Sequence, residues 1–165
     1  PEVESELHDY VTTIAMMYRE NPFHSFEHAS HVTMSVTKLL SRIVGPSDIN
    51  VNANDNENGT GASTFASTLH DHTYGITSDP LTQFACIFSA LIHDVDHVGV
   101  PNTQLIKENA SIAVLYKGKS VAEQNSVDIA WSLLMDERFE NLQRTIYESD
   151  AEFKRFRELV VNSVM

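Results

Sequence analysis

The sequence predicts an all-α fold, a multi-helix bundle of about six or seven helices around a central pocket, and three observations carry that prediction. Apolar residues recur at helical spacing in successive segments. No run alternates apolar and polar residues as a half-buried strand does. Proline, glycine and capping residues fall between the helical segments, and no internal repeat is visible.

From Glu4 to Arg19, residues Leu7, Val11, Ile14, Ala15 and Tyr18 form one stripe at helical spacing, which Asn21-Pro22 ends. A second helix opens at Pro22, carries histidines at its start and continues through Val36, Leu39, Leu40 and Ile43 to Gly45-Pro46. From about Gly45 to Pro80 the composition turns to Asn, Asp, Gly, Ser and Thr, with a low-complexity centre from Ile49 to Gly61. A structureless connection of this length fits a compact domain only as a surface excursion, so residues 45–80 are expected to be a flexible insertion. Ser78 or Asp79 then caps a helix with Pro80 in its first turn, whose Phe84, Ile87, Phe88 and Leu91 lead into a polar cluster. Short helices are expected from Thr103 to Glu108 and from Ala110 to Tyr116, with a turn at Lys117-Gly118-Lys119. Ser120 is expected to cap a further helix through Val127, Ala130, Trp131 and Leu134, where Trp131 reads as core. Phe153, Phe156, Leu159, Val160 and Val164 mark the last helix, which reaches Met165 without Gly, Pro or cap and so reads as a domain truncated on its C-terminal side.

Composition bounds the function. With 165 residues, 42% of them hydrophobic, the chain can build one core, as one domain or part of one. Eleven basic against 23 acidic residues give a net charge of -12, which disfavours nucleic acid and anionic membrane as partners. A small anionic substrate stays open, because bound divalent ions reverse the field inside a cleft. The single cysteine, Cys86, allows no internal disulfide, and an intracellular, cytoplasmic setting fits best. No stretch approaches the roughly 18 apolar residues of a membrane span, so no direct membrane contact is expected in this segment.

The chemistry concentrates in His93-Asp94-Val95-Asp96-His97, which follows the apolar run Phe84 to Ile92. Imidazole and carboxylate together suit zinc and harder divalent ions, and a carboxylate can bridge two ions. If helical, His93 and His97 lie on one face with Asp94 beside His93, while Asp96 points elsewhere. The plain alternative is a hydrogen-bonded His-Asp pair at a helix end. A second histidine-rich stretch, His24 to His31, can converge on the first in a helical bundle. Together His28, His93 and Asp94 supply three ligands, one short of a closed tetrahedral site. His8, His70 and His72 read as surface or loop residues, and His31 as a helix surface residue.

The stretch Phe23-His24-Ser25-Phe26-Glu27-His28-Ala29-Ser30-His31-Val32 resembles the Tyr-His-Asn-x-x-His-Ala-x-Asp-Val motif of class I 3′,5′-cyclic nucleotide phosphodiesterases, members of the HD-type metal phosphohydrolases. The stretch from His93 to Asn102 resembles their His-Asp-x-Asp-His-x-Gly-x-x-Asn motif, and similarity continues in Asn109 to Tyr116 and Ser120 to Glu123. The resemblance implies the phosphodiesterase fold and hydrolysis of cyclic AMP or cyclic GMP to the 5′-monophosphate by a hydroxide activated between two metal ions. It implies His28, His93 and Asp94 as metal ligands, with Asp94 bridging Zn2+ and a second ion, Mg2+ or Mn2+. It further implies His24 as the general acid on the leaving 3′ oxygen, Glu123 as the carboxylate that orients it, and His97 as a pocket residue beside the metal-bound water. In the family a fourth metal-binding Asp and a glutamine and aromatic clamp for the purine come later, beyond Met165, and regulatory domains can be fused to the catalytic one. The 165-residue piece alone is therefore expected to be inactive.

This sequence departs from the motifs at Phe23 for Tyr, Ser25 for Asn, His31 for Asp, and Asn125-Ser126 for His-His. None is an implied metal ligand, but outer partners set ligand orientation and are worth about 10–100-fold in affinity or activity. Two other readings compete: another HD-type metal-dependent nucleotide phosphohydrolase, against which the His24/His28 motif argues, and a non-catalytic regulatory module that keeps the fold.

Overall fold

A computed structural model describes residues 2–44 and 76–165. The expected insertion therefore lies, up to residue 75, outside the described residues, as do His70 and His72. Among the described residues there are eight α-helices and no strand. These are α1 (Glu2–Met17), α2 (Phe26–Val44), α3 (Pro80–Ile92), α4 (Asn102–Lys107), α5 (Ser111–Leu115), α6 (Val121–Leu134), α7 (Glu140–Ile146) and α8 (Asp150–Val164). Two 3-10 turns, Ile76–Ser78 and Glu137–Phe139, precede α3 and α7.

The apolar stripes explain the packing. α3 is the most apolar of the long helices and lies centrally, packed against both α2 and α8, with α6 also in contact. Phe88 and Ile92 of α3 join Tyr10 and Ile14 of α1, Ala130 and Leu134 of α6, and Phe156 and Val160 of α8 in the main core. Edge-on and tilted rings fill it: Phe156 meets Phe88 at 5.4 Å and Trp131 at 5.7 Å between centroids. Trp131, partly buried, thus packs against the core. A smaller cluster of Leu105, Ala113 and Val121 joins α4, α5 and the start of α6.

Polar ties fix the helices relative to one another. The buried Tyr10 hydroxyl donates to the Ala130 carbonyl at 2.9 Å, and the Tyr18 hydroxyl to the Leu91 carbonyl at 2.7 Å, so α1 is anchored to α6 and to the end of α3. Glu6 of α1 accepts from the Asn141 amide at 2.6 Å and the Leu142 N–H at 2.8 Å, supplying a cap for α7.

Several local details differ from expectation. The second helix starts at Phe26, after a bend over residues 22–25, because Ser25 acts as its cap: its Oγ accepts the His28 N–H at 3.3 Å. Ser120 does not cap α6 with its side chain; it is left-handed at φ 37, and Asn102 Oδ1 accepts the Ala122 N–H at 3.0 Å in its stead. Asp79 does stand at the N-cap of α3, with Pro80 beginning the helix. Its carboxylate pairs with Thr82 and with Arg155 of α8.

That pair gives a measurable expectation. Burial opposes ionisation of Asp79, but the Thr82 and Arg155 hydrogen bonds outweigh it and hold the carboxyl below its ordinary value. A depressed folded pKa means that the contribution is present above the unfolded value and fades as pH falls below about 4. Because the guanidinium is largely exposed, Arg155→Ala should cost only about 0.2–1 kcal/mol at neutral pH, and less at pH 3, by urea unfolding.

Candidate metal centre

The site forms where the end of α3 meets the chain entering α2. α3 stops at Ile92, and residues 93–96 form a turn in which the Val95 N–H returns to the Ile92 carbonyl and the His97 N–H to the Asp94 carbonyl, each at 3.1 Å. Asp96 then takes φ 60, a left-handed conformation uncommon for a residue with a Cβ. This turn sends His93 and His97 to different partners, so the expectation that they share one helical face is not met. Asp96 does point away from the site, toward Arg19 and Asn125.

Asp94 is the hub. Its Oδ2 lies 2.9 Å from His24 Nδ1 and 3.1 Å from His93 Nε2. Two sets of donor atoms meet there, His28, His93 and Asp94 on one hand and His24, Asp94 and His97 on the other, with each set's ligand atoms within 4.8 Å of one another. The α2 entry thus brings His24 and His28, and the turn after α3 brings His93, Asp94 and His97, as the two motifs suggested. Burial penalises the Asp94 charge, yet hydrogen bonds from His93 and His24 prevail and lower its pKa to about 2. Asp94 is therefore a carboxylate at any physiological pH.

The donor set fits a divalent cation. His93 Nδ1 faces the Ala90 carbonyl at 2.9 Å, which requires the proton on Nδ1 and leaves the Nε2 lone pair turned to a carboxylate oxygen. Two lone pairs 3.1 Å apart need a proton or a metal ion between them. The hydrogen bond with Asp94 raises the His93 pKa against the opposing effect of burial. The ring of His28 stands edge-on to that of His93, with centroids 5.5 Å apart.

His97 is set differently. Its Nδ1 accepts the Gly99 N–H at 3.0 Å, so in the neutral ring the proton sits on Nε2. Burial lowers its pKa and favours that neutral ring. The ring stacks on His24, with centroids 3.7 Å apart and planes at 22°. His97 is thus suited to donate a hydrogen bond from Nε2.

Glu123, at the first turn of α6, accepts from the Asn102 amide at 2.9 Å, and its charge acts on His97. Among the described residues no hydrogen bond joins Glu123 to His24, whose Nδ1 is directed to Asp94. Asn102 holds both Glu123 and the start of α6, so Asn102→Ala should cost about 0.5–2 kcal/mol, the usual worth of a helix cap, in thermal or urea unfolding. Unchanged stability would show that the Ala122 N–H finds another acceptor.

The departures from the motif find partners. Ser25 caps α2; the Asn125 amide donates to Asp96 at 3.1 Å; the fully buried Ser126 hydroxyl lies 2.8 Å from the Val95 carbonyl and 3.1 Å from the Ala122 carbonyl. His31 is exposed on α2, as expected, and so is His8 on α1. Asn102, the last residue of the second motif, organises the site together with Asn21 and Arg19, which no spacing in the sequence marked.

A helical domain that gathers four histidines around one shared carboxylate has the donor set of a cation-dependent enzyme centre. Residues 23–165 match the 3′,5′-cyclic nucleotide phosphodiesterase family. The chain belongs to that family. It is 29% identical over 98% of its length to the human dual specificity calcium/calmodulin-dependent 3′,5′-cyclic nucleotide phosphodiesterase 1C, and 30% identical over 97% to the human cGMP-inhibited 3′,5′-cyclic phosphodiesterase 3A. It is 27% identical over 98% to the cGMP-specific 3′,5′-cGMP phosphodiesterase 3 of Dictyostelium discoideum. The phosphodiesterase domain of the Salpingoeca rosetta rhodopsin phosphodiesterase shares its fold, with a TM-score of 0.69 at 23% identity over 98% of this chain. The chain spans 19%, 15% and 29% of those three curated relatives and 39% of the solved chain. No helix among the described residues is long and apolar enough to cross a membrane.

Proposed function

We propose that this chain forms the N-terminal, metal-binding and proton-delivering part of a catalytic domain that hydrolyses a 3′,5′-cyclic nucleotide to the 5′-monophosphate in intracellular signalling. The observation that carries the reading is the pair of donor sets sharing Asp94. His28, His93 and Asp94 would hold one divalent ion, Zn2+, and Asp94 would also serve a second, Mg2+ or Mn2+. When bound, two such ions lower the pKa of a water and neutralise charge on the phosphoryl oxygens.

The chain's own residues do the rest. Asp94 and His93 keep lone pairs directed into the site, and the Ala90 carbonyl fixes the His93 tautomer. The water, having given one proton to solvent, bonds through its oxygen to phosphorus, the bond from phosphorus to the 3′ oxygen breaks, and His24 delivers the proton that the leaving oxygen takes up and regains one from solvent. Its ring is held by the Asp94 carboxylate through Nδ1 and by stacking on His97, so Nε2 is the nitrogen free to transfer the proton. His97 donates from Nε2 to an oxygen in the pocket. Glu123, fastened by Asn102, supplies a carboxylate to orient the histidine pair as the proton moves. The hydrogen-bond partners of Ser25, Asn125 and Ser126 support the catalytic reading over a non-catalytic module.

The test is metal content by mass spectrometry, with cyclic AMP and cyclic GMP turnover, on the 165-residue chain and on the chain extended through the rest of a family-length domain. The expected result is weak metal binding and no measurable turnover by the 165 residues, with two ions and turnover in the extended protein. A metal-free or inert extended protein would overturn the reading.

A further inference from the structure

The segment between α1 and α2 does more than connect them. The Asn21 amide nitrogen donates to two carbonyls at once, that of His24 at 2.9 Å and that of His97 at 3.1 Å, while its Oδ1 accepts the Phe23 N–H at 3.2 Å. Only this orientation of the amide satisfies all three partners, since two of them are acceptors and one is a donor. Two residues earlier, Arg19 Nε donates to Asp96 Oδ1 at 2.6 Å, and Asn125 holds the other oxygen of the same carboxylate at 3.1 Å. Asp96 is the left-handed residue that turns the chain toward His97. Between the points so fixed, the rings of His24 and His97 stack with centroids 3.7 Å apart.

We propose that Arg19 and Asn21 form a positioning strap that sets the spacing of His24 and His97, with Asn125 locking the far side of the Asp96 turn. Neither residue of the strap touches the donor atoms themselves. Asn21 ties the backbones of the two histidines to one rigid planar group, and Arg19 keeps the intervening turn in a conformation that the chain would otherwise leave. The assignment of a proton-transfer role to the pair rests on the hydrolytic reading above; the positional role does not.

The test uses Asn21→Asp, which keeps the side-chain shape but replaces a donor by an acceptor facing two carbonyls, and Arg19→Ala at an exposed site. Imidazole resonances are read by long-range proton–nitrogen NMR on the 165-residue chain, with circular dichroism to confirm that helicity is kept. Both variants should move the His24 and His97 ring resonances and leave those of the exposed His8 and His31 in place. In the extended, metal-loaded protein, kcat should fall about 10–100-fold with metal content and KM nearly unchanged. Unmoved His24 and His97 resonances in Arg19→Ala and Asn21→Asp, or in Arg19→Ala alone should Asn21→Asp fail to fold, overturn the proposal. Displaced resonances support the strap even in a protein that shows no turnover, which would count against the hydrolytic reading only.

Discussion

In the chain extended through a family-length domain, Asp94→Asn should weaken cation binding at both donor sets in one step and take cyclic nucleotide turnover to background. Each set contains an Asp94 oxygen, and the pKa of about 2 shows that the residue meets its histidines as a full negative charge. Asparagine keeps the size but replaces one oxygen by an NH2 group that points protons, where lone pairs are needed, at His93 Nε2 or His24 Nδ1. A cation at His28 and His93 would then lack its anionic ligand. A second ion would lose its anchor altogether. The loss should exceed the roughly 10–100-fold that removal of an outer partner produces, since here the ligand itself goes. Isothermal titration with Zn2+ and Mg2+, read with mass-spectrometric metal content, checks this. Retention of two ions by the variant would show that Asp94 is not the shared ligand.

Much of the fold was legible because it is written in local pattern. The stripes of α1, α2, α3, α6 and α8 repeat at helical spacing over long segments, and burial of Ile14, Phe88, Ala130, Phe156 and Val160 follows from them. What escaped depends on partners far along the chain. α7 is a seven-residue helix whose first turn is capped by Glu6 of α1, and α6 is capped by Asn102 in place of the adjacent Ser120. The candidate donor residues stood out for a different reason: histidine and aspartate in tight spacing mark themselves by type. Two of the residues that aim them, Asn21 and Arg19, are ordinary polar residues until the turn at Asp96 brings their acceptors within reach. The same turn explains why His97 stacks on His24 and does not share a face with His93.

In the same extended domain, His24→Ala should separate proton transfer from metal binding. His24 belongs to the set with Asp94 and His97, and its removal leaves His28, His93 and Asp94 intact as a cation-binding group. The ion held by those three residues should therefore stay bound. Turnover should fall about 10²–10⁴-fold, the usual worth of a positioned general acid, because the leaving 3′ oxygen must then depart as an alkoxide or take its proton from water. The effect should appear in kcat more than in KM, since the proton moves in the transition state and the ground state gains little from it. It should also shrink for a substrate analogue whose leaving oxygen is a good leaving group, which needs no proton; a merely structural collapse of the site would slow both substrates alike. Two outcomes would remove His24 from this role: loss of the bound ion in the variant, which would make it a ligand, or an equal penalty on both substrates, which would make it a packing residue for His97.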